Sequence, residues 1–273
     1  MNILITLDRN YLGPLRIMLA SMFINNPNKT FDIYLIADGF LDADYQMLDK
    51  LTGRFDSRIK IVDFDKSIFG QAPSLRYYSR AMYYRLLAAD LLPKNLDRIL
   101  YLDPDILLIN KIDRLYNIDF SDNLFAGASH TDSLGIIDTV NKIRLSNYNA
   151  ESYFNSGVLM MNLKMMRKLV EKEDVFAYIK DKGKGLLLPD QDALNALYGH
   201  KILAVDDSIY NYDTRHFRKH LLNSKGVKNF DWISKNTVIL HYCGKNKPWH
   251  EDYIGYFALI YKHYQKLVDL YLA

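Results

Sequence analysis

The feature that most constrains this chain is a regular alternation of short apolar runs with longer segments of helical periodicity. Residues 2–7, 31–37 and 59–64 are short and rich in apolar side chains, which predicts strands. Residues 11–24 and 42–55 lie between them and carry apolar side chains at helical spacing, which predicts helices. Strands that alternate with helices predict an α/β fold with a parallel sheet covered on both faces.

The same alternation continues along the chain. Helices are predicted at 83–92, 163–180 and 191–198, and strands at 98–102, 157–161, 202–205 and 238–241. The sequence contains no linker rich in Gly, Ser or Pro and no internal repeat. We therefore expect one α/β domain, residues 1–252, followed by a helical tail, residues 253–273.

Charge and cysteine content narrow the function classes. The chain has 35 Lys and Arg against 32 Asp and Glu, and this net charge of +3 is too small for binding nucleic acid by counterion release. The single cysteine, Cys243, excludes an intrachain disulfide and a multi-thiolate zinc cluster, and indicates a reducing compartment. The N-terminal residues do not resemble a secretory leader, and no apolar run approaches the roughly 20 residues that span a bilayer. We expect a cytoplasmic protein without a nucleic-acid partner.

Two carboxylates follow the predicted strand 98–102 directly, in the triplet Asp103-Pro104-Asp105. Open α/β sheets bind ligands outside the carboxyl ends of their strands, so the triplet lies where a site is expected. Two carboxylates one residue apart can bind a divalent cation, or hold a phosphate through it. Taken alone, the triplet favours a simple turn, since Asp and Pro both favour turns.

A second group of polar residues follows the last predicted strand, in the run from His241 to His250. An imidazole together with carboxylates suits Mn²⁺ better than Mg²⁺, which prefers oxygen ligands, so Mn²⁺ is the expected ion and Mg²⁺ the alternative. Gly244 permits a close backbone approach, and Lys247 supplies a point charge that is useful for holding a diphosphate. A buried structural histidine is the alternative interpretation of His241.

Five blocks in a fixed order resemble glycosyltransferase family 8, and within it the bacterial lipopolysaccharide α-galactosyltransferases. The blocks are Leu7-Asp8-Arg9-Asn10-Tyr11, residues 99–105, residues 153–159, Asp190-Gln191-Asp192 with Leu194-Asn195, and His241-Tyr242-Cys243-Gly244 with Lys247-Pro248-Trp249-His250. Each block is modest, but their order over about 240 residues makes coincidence improbable. The resemblance implies a single Rossmann-like nucleotide-sugar-binding domain of the glycosyltransferase type A fold, with a mostly parallel central sheet.

The resemblance also implies an activity, the retaining and metal-dependent transfer of a hexose from a UDP-sugar. Asp103, Asp105 and His241 match the metal ligands of the family. The cation would act as Lewis acid and template while UDP departs. Lys247 would share the neutralisation of the two phosphates.

The resemblance places uridine binding after the first strand. Asp8, Asn10 and Tyr11 match the uridine-binding segment, where an aromatic ring can lie against uracil and polar groups can read its edge. Gly244 and Lys247 complete the expected nucleotide-binding set. Ordinary packing of Tyr11 in a helix is the alternative.

Arg85, Asn155 and Asp190 match positions that hold the donor sugar in the similar enzymes. Gln191 matches the residue under the anomeric carbon, and an amide is a poor nucleophile. We therefore favour front-side attack, in which Gln191 supports the oxocarbenium-like charge and the departing phosphate takes the acceptor's proton. Asp190 is the second catalytic candidate, although Asp190 and Asp192 are less favoured as nucleophiles of a double displacement.

One departure from the family pattern leaves the donor open between UDP-glucose and UDP-galactose. The chain reads Ser129-His130-Thr131-Asp132 where the galactosyltransferases have an acidic residue near the donor sugar. Either Asp132 serves in a displaced position or His130 changes the preferred sugar. We place no family block in residues 213–232, and such loops commonly shape the acceptor pocket. A glycan, glycolipid or glycoprotein acceptor is expected.

The tail, residues 253–273, has aromatic and aliphatic side chains at helical spacing with Lys262, His263 and Lys266 between them. Such a helix can lie on an anionic membrane, which would give a peripheral contact at the inner face of the plasma membrane. Packing on the domain is the favoured alternative, since the apolar stripe of a helix normally faces a core.

Two other function classes remain open from the sequence. Haloacid-dehalogenase-like phosphatases also place Asp-x-Asp after an apolar strand, but near the first strand and followed by Thr or Val, whereas Leu107 stands there in this chain. The other alternative is a non-catalytic module that binds a UDP-sugar without transferring it.

Overall fold

The computed structural model describes residues 1–64, 81–129, 152–182 and 188–272. The strands in these ranges are β1 (Asn2–Asp8), β2 (Asp32–Asp38), β3 (Arg58–Ile61), β4 (Arg98–Leu102), β5 (Ile106–Leu108), β6 (Phe125–Ser129), β7 (Phe154–Asn162), β8 (Ile202–Val205), β9 (Tyr212–Asp213) and β10 (Ile239–His241). The α-helices are α1 (Leu12–Asn25), α2 (Asp42–Gly53), α3 (Ala81–Leu86), α4 (Ala88–Leu91), α5 (Asp113–Tyr116), α6 (Leu163–Leu169), α7 (Lys172–Lys182), α8 (Pro189–Tyr198), α9 (Asp207–Tyr210), α10 (Phe217–Asn223), α11 (Phe230–Asn236) and α12 (Ala258–Leu272).

Seven strands form a central sheet in the order β3-β2-β1-β4-β7-β6-β8. β1 runs parallel to β2, with Ile3 opposite Ile33, and β6 runs parallel to β8. β7 is antiparallel to β6. The predicted α/β class with a mostly parallel central sheet is confirmed.

A second sheet has three strands in the order β5-β10-β9. β10 is antiparallel to β5 and parallel to β9. The sequence predicted a strand at 238–241 but missed β5 and β9, because runs of three and two residues are too short to show a period. This small sheet brings the end of β10 next to the start of β5, where His241 lies opposite Ile106.

The chain groups into two compact units. The first comprises Met1–Lys60, Leu102–Asn117 and Asp206–Ala273, and the second comprises Ile61–Tyr101 and Ile118–Val205. The first unit contains β1, β2, the small sheet and α12, and the second contains β6, β7, β8 and helices α6 to α8. The candidate site residues taken from the sequence divide between these units.

Polar side chains at the end of α1 tie this helix to β5 within the first unit. The Oγ of Ser21 accepts a hydrogen bond of 3.0 Å from the backbone N–H of Leu108. The Nδ2 of Asn25 donates to the carbonyl of Leu108 at 2.9 Å, and the Oδ1 of Asn26 accepts from the N–H of Ile112 at 2.9 Å. Because buried backbone groups need partners, these bonds hold β5 in place and with it the acidic residues that precede it.

The structure departs from the predicted helices at two positions. The predicted helix 163–180 is divided into α6 and α7, since Val170 has extended backbone angles (φ −99°, ψ 113°). The predicted helix 83–92 is divided into α3 and α4 at Leu87. Strand β6 was missed because its sequence, Phe-Ala-Gly-Ala-Ser, is rich in small residues with low strand propensity.

Helix α12 lies in the tail and packs on the first unit through one face. Tyr261, Tyr264 and Val268 are buried in an aromatic cluster that also contains Tyr212 and Tyr242. The hydroxyl of Tyr264 accepts a hydrogen bond of 2.6 Å from Asn25 of α1. Among the described residues, no helix combines the length and apolar character needed to cross a membrane.

We expect Tyr261→Ala to lower the free energy of unfolding by about 3–5 kcal/mol, the range for removing a large buried aromatic side chain. The side chain of Tyr261 is 1% exposed, whereas Leu259 on the same helix is 82% exposed, so Leu259→Ala is the matched control and should change stability by less than about 0.5 kcal/mol. Urea unfolding measures both. Equal effects would show that the helix does not pack through this face.

The hydroxyl of Tyr261 is buried and has no hydrogen-bond partner among the described residues. Tyr261→Phe should therefore be neutral or stabilising in the same measurement, because it removes an unsatisfied polar group and keeps the ring.

Candidate functional site

Three candidate metal ligands meet in the first unit. Asp103 and Asp105 follow β4, and His241 is the last residue of β10. One ligand atom from each side chain lies within 4.8 Å of the other two. The pairing of β10 with β5 brings them together, since the N–H of Tyr242 donates to the carbonyl of Asp105 at 3.0 Å.

The carboxylate of Asp105 has a different environment at each oxygen. Its Oδ2 accepts a hydrogen bond from the ammonium group of Lys247, which also donates to the carbonyl of Tyr242 at 2.8 Å. Its Oδ1 lies 3.3 Å from the Nε2 of His241, and is buried without a hydrogen-bond partner in the described part of the chain. A buried carboxylate oxygen without a hydrogen bond is costly, so this atom is suited to a ligand.

Charges in this cluster shift the pKa values of Asp105 and His241 in opposite directions. Burial alone would raise the pKa of Asp105, but the charges of His241 and Lys247, together with the Lys247 hydrogen bond, hold it well below its usual range. Burial alone would lower the pKa of His241, but Cys243 and Asp105 raise it well above its usual value. Asp105 is therefore ionised, and His241 has to release a proton before it can bind a metal.

Asn211 orients the imidazole of His241. The Oδ1 of this fully buried asparagine lies 2.8 Å from the Nδ1 of His241. An amide oxygen accepts, so Nδ1 carries the proton and Nε2 faces Asp105. A hydrogen-bond partner on the other ring nitrogen fixes the tautomer of a metal-binding histidine. Sequence analysis missed Asn211, because nothing in its local sequence indicates a contact with a strand so much later in the chain.

These residues fit a divalent cation. Two carboxylates and one imidazole form a donor set suited to Mn²⁺, and the Oδ1 of Asp105 is a buried acceptor whose hydrogen-bonding capacity is unused among the described residues. The interpretation of Asp103-Pro104-Asp105 as a turn alone does not account for the convergence of both carboxylates with His241.

The residues expected to bind uridine also lie in the first unit. The carboxylate of Asp8 accepts a hydrogen bond of 2.9 Å from the N–H of Asn10 and caps the short 3-10 turn Arg9–Tyr11 after β1. Asn10 is exposed, whereas Tyr11 is half-buried and its ring makes an edge contact with Trp249 at 5.7 Å. Burial raises the pKa of Tyr11, and the charges of Asp105 and Asp103 raise it further.

Gly244 lies in a turn whose backbone conformation favours glycine. Its φ of +89° is in the left-handed region, and a Cβ there would lie 2.8 Å from the guanidinium of Arg215. Arg215 is held by two-point hydrogen bonds to the fully buried Asp213, at 3.0 Å and 2.6 Å. This pair was not predicted from the sequence and lies outside the five family blocks.

A cavity of about 800 Å³ adjoins this turn within the first unit. Its lining includes Thr214, Arg215, Cys243, Tyr253 and Tyr256. The two tyrosine rings offer apolar faces, while the guanidinium and hydroxyl groups can form hydrogen bonds. Aromatic rings beside polar groups are typical of pockets that bind polar ligands such as sugars.

The residues expected to bind the donor sugar form a network in the second unit. The Nη1 of Arg85 lies 2.9 Å from both the carbonyl and the Oγ of Ser156, and 3.0 Å from the Oδ2 of Asp190. The guanidinium also lies over the ring of Tyr101 at 4.5 Å. The Oγ of Ser156 donates to the same Asp190 oxygen at 3.0 Å, so the network fixes the Asp190 carboxylate.

Gln191 is oriented by its neighbours in the second unit. Its Oε1 accepts hydrogen bonds from the Nδ2 of Asn155 at 3.1 Å and from the N–H of Ser156 at 3.4 Å. The side chain is 9% exposed. The structure therefore brings together Arg85, Asn155, Asp190 and Gln191, four of the predicted residues.

Asp192 and Asn195 have structural contacts. Asp192 is fully buried and accepts from the hydroxyl of Tyr153 at 2.6 Å. Asn195 bonds both the N–H and the carbonyl of Phe154 at 2.7 Å, and so ties α8 to β7. The segment with His130 and Asp132, which bears on donor preference, lies outside the described residues.

The chain matches the sequence model of Glycosyl transferase family 8 over residues 2–253. It belongs to glycosyl transferase family 8. The family identified from the sequence blocks is therefore confirmed. Members of this family are glycosyltransferases, so the chain is a glycosyltransferase and the phosphohydrolase alternative is wrong.

Two curated family members illustrate the similarity. The lipopolysaccharide 1,2-glucosyltransferase of Escherichia coli is 33% identical over 262 residues, which cover 93% of this chain and 74% of that protein. The lipopolysaccharide 1,3-galactosyltransferase of Salmonella typhimurium (strain LT2) is 27% identical over 252 residues, which cover 91% of this chain and 73% of that protein.

A solved structure of similar fold is that of the galactosyltransferase LgtC in complex with donor and acceptor sugar analogs. It matches with a TM-score of 0.80 and 22% sequence identity, and covers 98% of this chain and 96% of that chain. This match confirms the predicted glycosyltransferase type A fold.

The ion pair of Asp213 with Arg215 should make the stability of this family 8 chain depend on pH in the acid range. Burial would raise the pKa of Asp213, but the hydrogen bonds and charge of Arg215 lower it to about 2 from the ordinary 3.8. A lowered folded-state pKa stabilises the fold above the unfolded-state pKa, and that contribution is lost as the pH falls towards the folded-state value. We expect a loss of about 2 kcal/mol between about pH 5 and pH 2.

Urea unfolding of the wild type and Asp213→Asn over this range measures the difference. The variant should be less stable near pH 5 and should show the smaller dependence on pH. Asp231→Asn, whose carboxylate is 70% exposed, is the control and should follow the wild type. Parallel pH profiles for wild type and Asp213→Asn would contradict the expectation.

Proposed function

We propose that this chain is a metal-dependent, retaining hexosyltransferase that moves glucose or galactose from a UDP-sugar to a lipopolysaccharide or another lipid-linked glycan. The observation that carries the proposal is the cluster of Asp103, Asp105 and His241, whose ligand atoms lie within 4.8 Å of one another in a family 8 chain. The names of the curated relatives support a lipopolysaccharide acceptor. We propose that residues 1–252 form the catalytic domain and that residues 253–273 form a helical tail.

Asp103, Asp105 and His241 would hold the cation, for which Mn²⁺ is our first choice and Mg²⁺ the second. When bound, the cation supplies Lewis-acid stabilisation of the charge that develops on the departing diphosphate. Asn211 keeps the Nε2 of His241 directed at the ligand cluster. Lys247 places a fixed positive charge beside Asp105.

Tyr11 and Asp8 would bind the uridine. The half-buried ring of Tyr11, supported by Trp249, offers a face for uracil, and Asn10 is an exposed donor and acceptor next to it. Gly244 would let the backbone approach the diphosphate closely, because it has no side chain.

Arg85, Asn155 and Asp190 would bind hydroxyl groups of the donor hexose, and Gln191 would face the anomeric carbon. Asn155 and Ser156 fix the direction of the Gln191 carbonyl, so its dipole is set in advance for the positive charge of an oxocarbenium-like transition state. In front-side attack the bond from C1 to the diphosphate oxygen breaks, the bond from C1 to the acceptor oxygen forms, and the acceptor's proton passes to the departing phosphate.

We propose that the cavity of about 800 Å³ beside Gly244 takes part of the acceptor. Thr214 and Arg215 of its lining lie in residues 213–232, outside the five family blocks identified in the sequence, and loops of this kind commonly shape specificity. We place the reaction in the cytoplasm, with a peripheral contact to the inner membrane face where a lipid-linked acceptor is available.

UDP should raise the melting temperature of the wild type only when Mn²⁺ or a similar cation is present. The shift should be on the order of 5 °C with UDP at about a hundred times its dissociation constant, because a ligand stabilises the folded state that binds it. Asp105→Ala should abolish both the rise in melting temperature and the transferase activity. Asp103→Ala, at a half-buried position, should do the same.

Asp231→Ala removes an exposed carboxylate and is the control that should keep both the shift and the activity. Circular dichroism checks that each variant is folded. A metal-independent shift in the wild type, or full activity in folded Asp103→Ala, would refute the metal role.

A donor screen should identify one preferred UDP-hexose. The slow hydrolysis of UDP-glucose, UDP-galactose and UDP-N-acetylglucosamine is measured as the rate of UDP release. We expect UDP-glucose or UDP-galactose to be hydrolysed fastest. Retention predicts that the hexose first appears as the α-anomer in NMR spectra. The β-anomer as first product would contradict a retaining mechanism, and equal inactivity on all donors with added acceptor would contradict the proposed function.

A further inference from the structure

Lys247 contacts a metal-ligand carboxylate directly, although the sequence suggested only a contact with diphosphate. Its ammonium group donates to the Oδ2 of Asp105 and, at 2.8 Å, to the carbonyl of Tyr242. The side chain is 12% exposed, so water screens its charge weakly. The other oxygen of the same carboxylate, Oδ1, faces His241.

The local fold fixes Lys247 in this place. The turn that begins at Gly244, with φ +89°, returns the chain after β10 towards Asp105. The carbonyl of Lys247 accepts a hydrogen bond of 3.0 Å from the N–H of His250, and the hydroxyl of Tyr242 donates to the carbonyl of Phe257 at 3.0 Å. Hydrogen bonds therefore hold both the backbone of this segment and the ammonium group of Lys247, which contacts two oxygens.

The charges of the cluster limit the affinity for a divalent cation that binds without a nucleotide. Asp103 and Asp105 together carry two negative charges, and Lys247 beside them cancels one. A divalent cation would then meet less negative charge than the two carboxylates alone provide, and would be repelled by a fixed ammonium group nearby. In a site with weak screening such repulsion is substantial, because Coulomb energies grow as the effective dielectric constant falls.

We propose that Lys247 makes binding of the divalent cation conditional on the nucleoside diphosphate. The inference rests on the proposed function and deepens it. The negative charge of the diphosphate would compensate both the ammonium group and the cation, so the two ligands bind together far more tightly than either binds alone. By linkage, the cation raises the affinity for diphosphate by the same factor.

The consequence is a positioning role for Lys247 that differs from a simple phosphate contact. A residue that only contacts diphosphate affects nucleotide affinity and leaves binding of the cation alone unchanged. A residue that only orients Asp105 supports binding of the cation alone, and its loss weakens that binding. A residue whose charge repels the cation weakens binding of the cation alone. Lys247→Met should therefore strengthen that binding.

The test measures Mn²⁺ binding by electron paramagnetic resonance or calorimetry, with and without UDP, at one fixed pH. For the wild type we expect weak binding of Mn²⁺ alone and much tighter binding with UDP. For Lys247→Met, which keeps the length of the side chain without its charge, Mn²⁺ alone should bind about tenfold more tightly or better, as a charge this close implies. The factor by which UDP and Mn²⁺ enhance each other should fall correspondingly.

Lys245→Met is the matched control, because it removes an exposed lysine from the same turn and should leave both quantities at wild-type values. Lys247→Arg keeps the charge and should keep the weak binding of Mn²⁺ alone. Urea unfolding confirms that each variant is folded.

Unchanged or weaker binding of Mn²⁺ alone to folded Lys247→Met would overturn the inference and leave the proposed function standing. Absence of Mn²⁺ binding to the wild type even with UDP would overturn the metal role in the proposed function, and the inference with it.

Discussion

The pairing of β5 with β10 is the interaction on which the candidate site depends. Its antiparallel register sets His241 opposite Ile106, and the hydrogen bond from Tyr242 to the carbonyl of Asp105 closes the end of the ladder. A slip of one residue would turn the imidazole to the other face of this small sheet, because side chains alternate along a strand. Three consecutive residues of β10 therefore decide whether distant carboxylates and an imidazole can share a ligand.

The long elements of this fold could be predicted from the sequence, because β1 and β2 are short continuous apolar runs and α1 is a longer apolar segment between them. The short strands could not, since two or three residues carry no period, and neither could the division of the predicted helix 163–180 at Val170. The family blocks gave the metal-ligand set without its geometry. The contact of Asn211 with His241 depends on tertiary packing and has no local signature.

The block Asp190-Gln191-Asp192 shows how one motif combines residues in different environments. Asp190 is 20% exposed and is held by Arg85, while Asp192 is fully buried and bonded to Tyr153. On a helix, residues two apart point in different directions, so the two acidic residues of this block have different contacts. Sequence spacing identifies the block, but only burial separates its members.

The turn at Gly244 limits how this enzyme can diversify. A side chain at that position would be strained by the left-handed backbone (φ +89°) and would require the guanidinium of Arg215 to shift, so substitution there is disfavoured whatever substrate is selected. New preferences for a substrate in the adjoining cavity would have to arise at its tolerant rim, at exposed positions such as Lys245, Asn246 and Ile254. A library for directed evolution would therefore be built on the rim and leave the glycine intact.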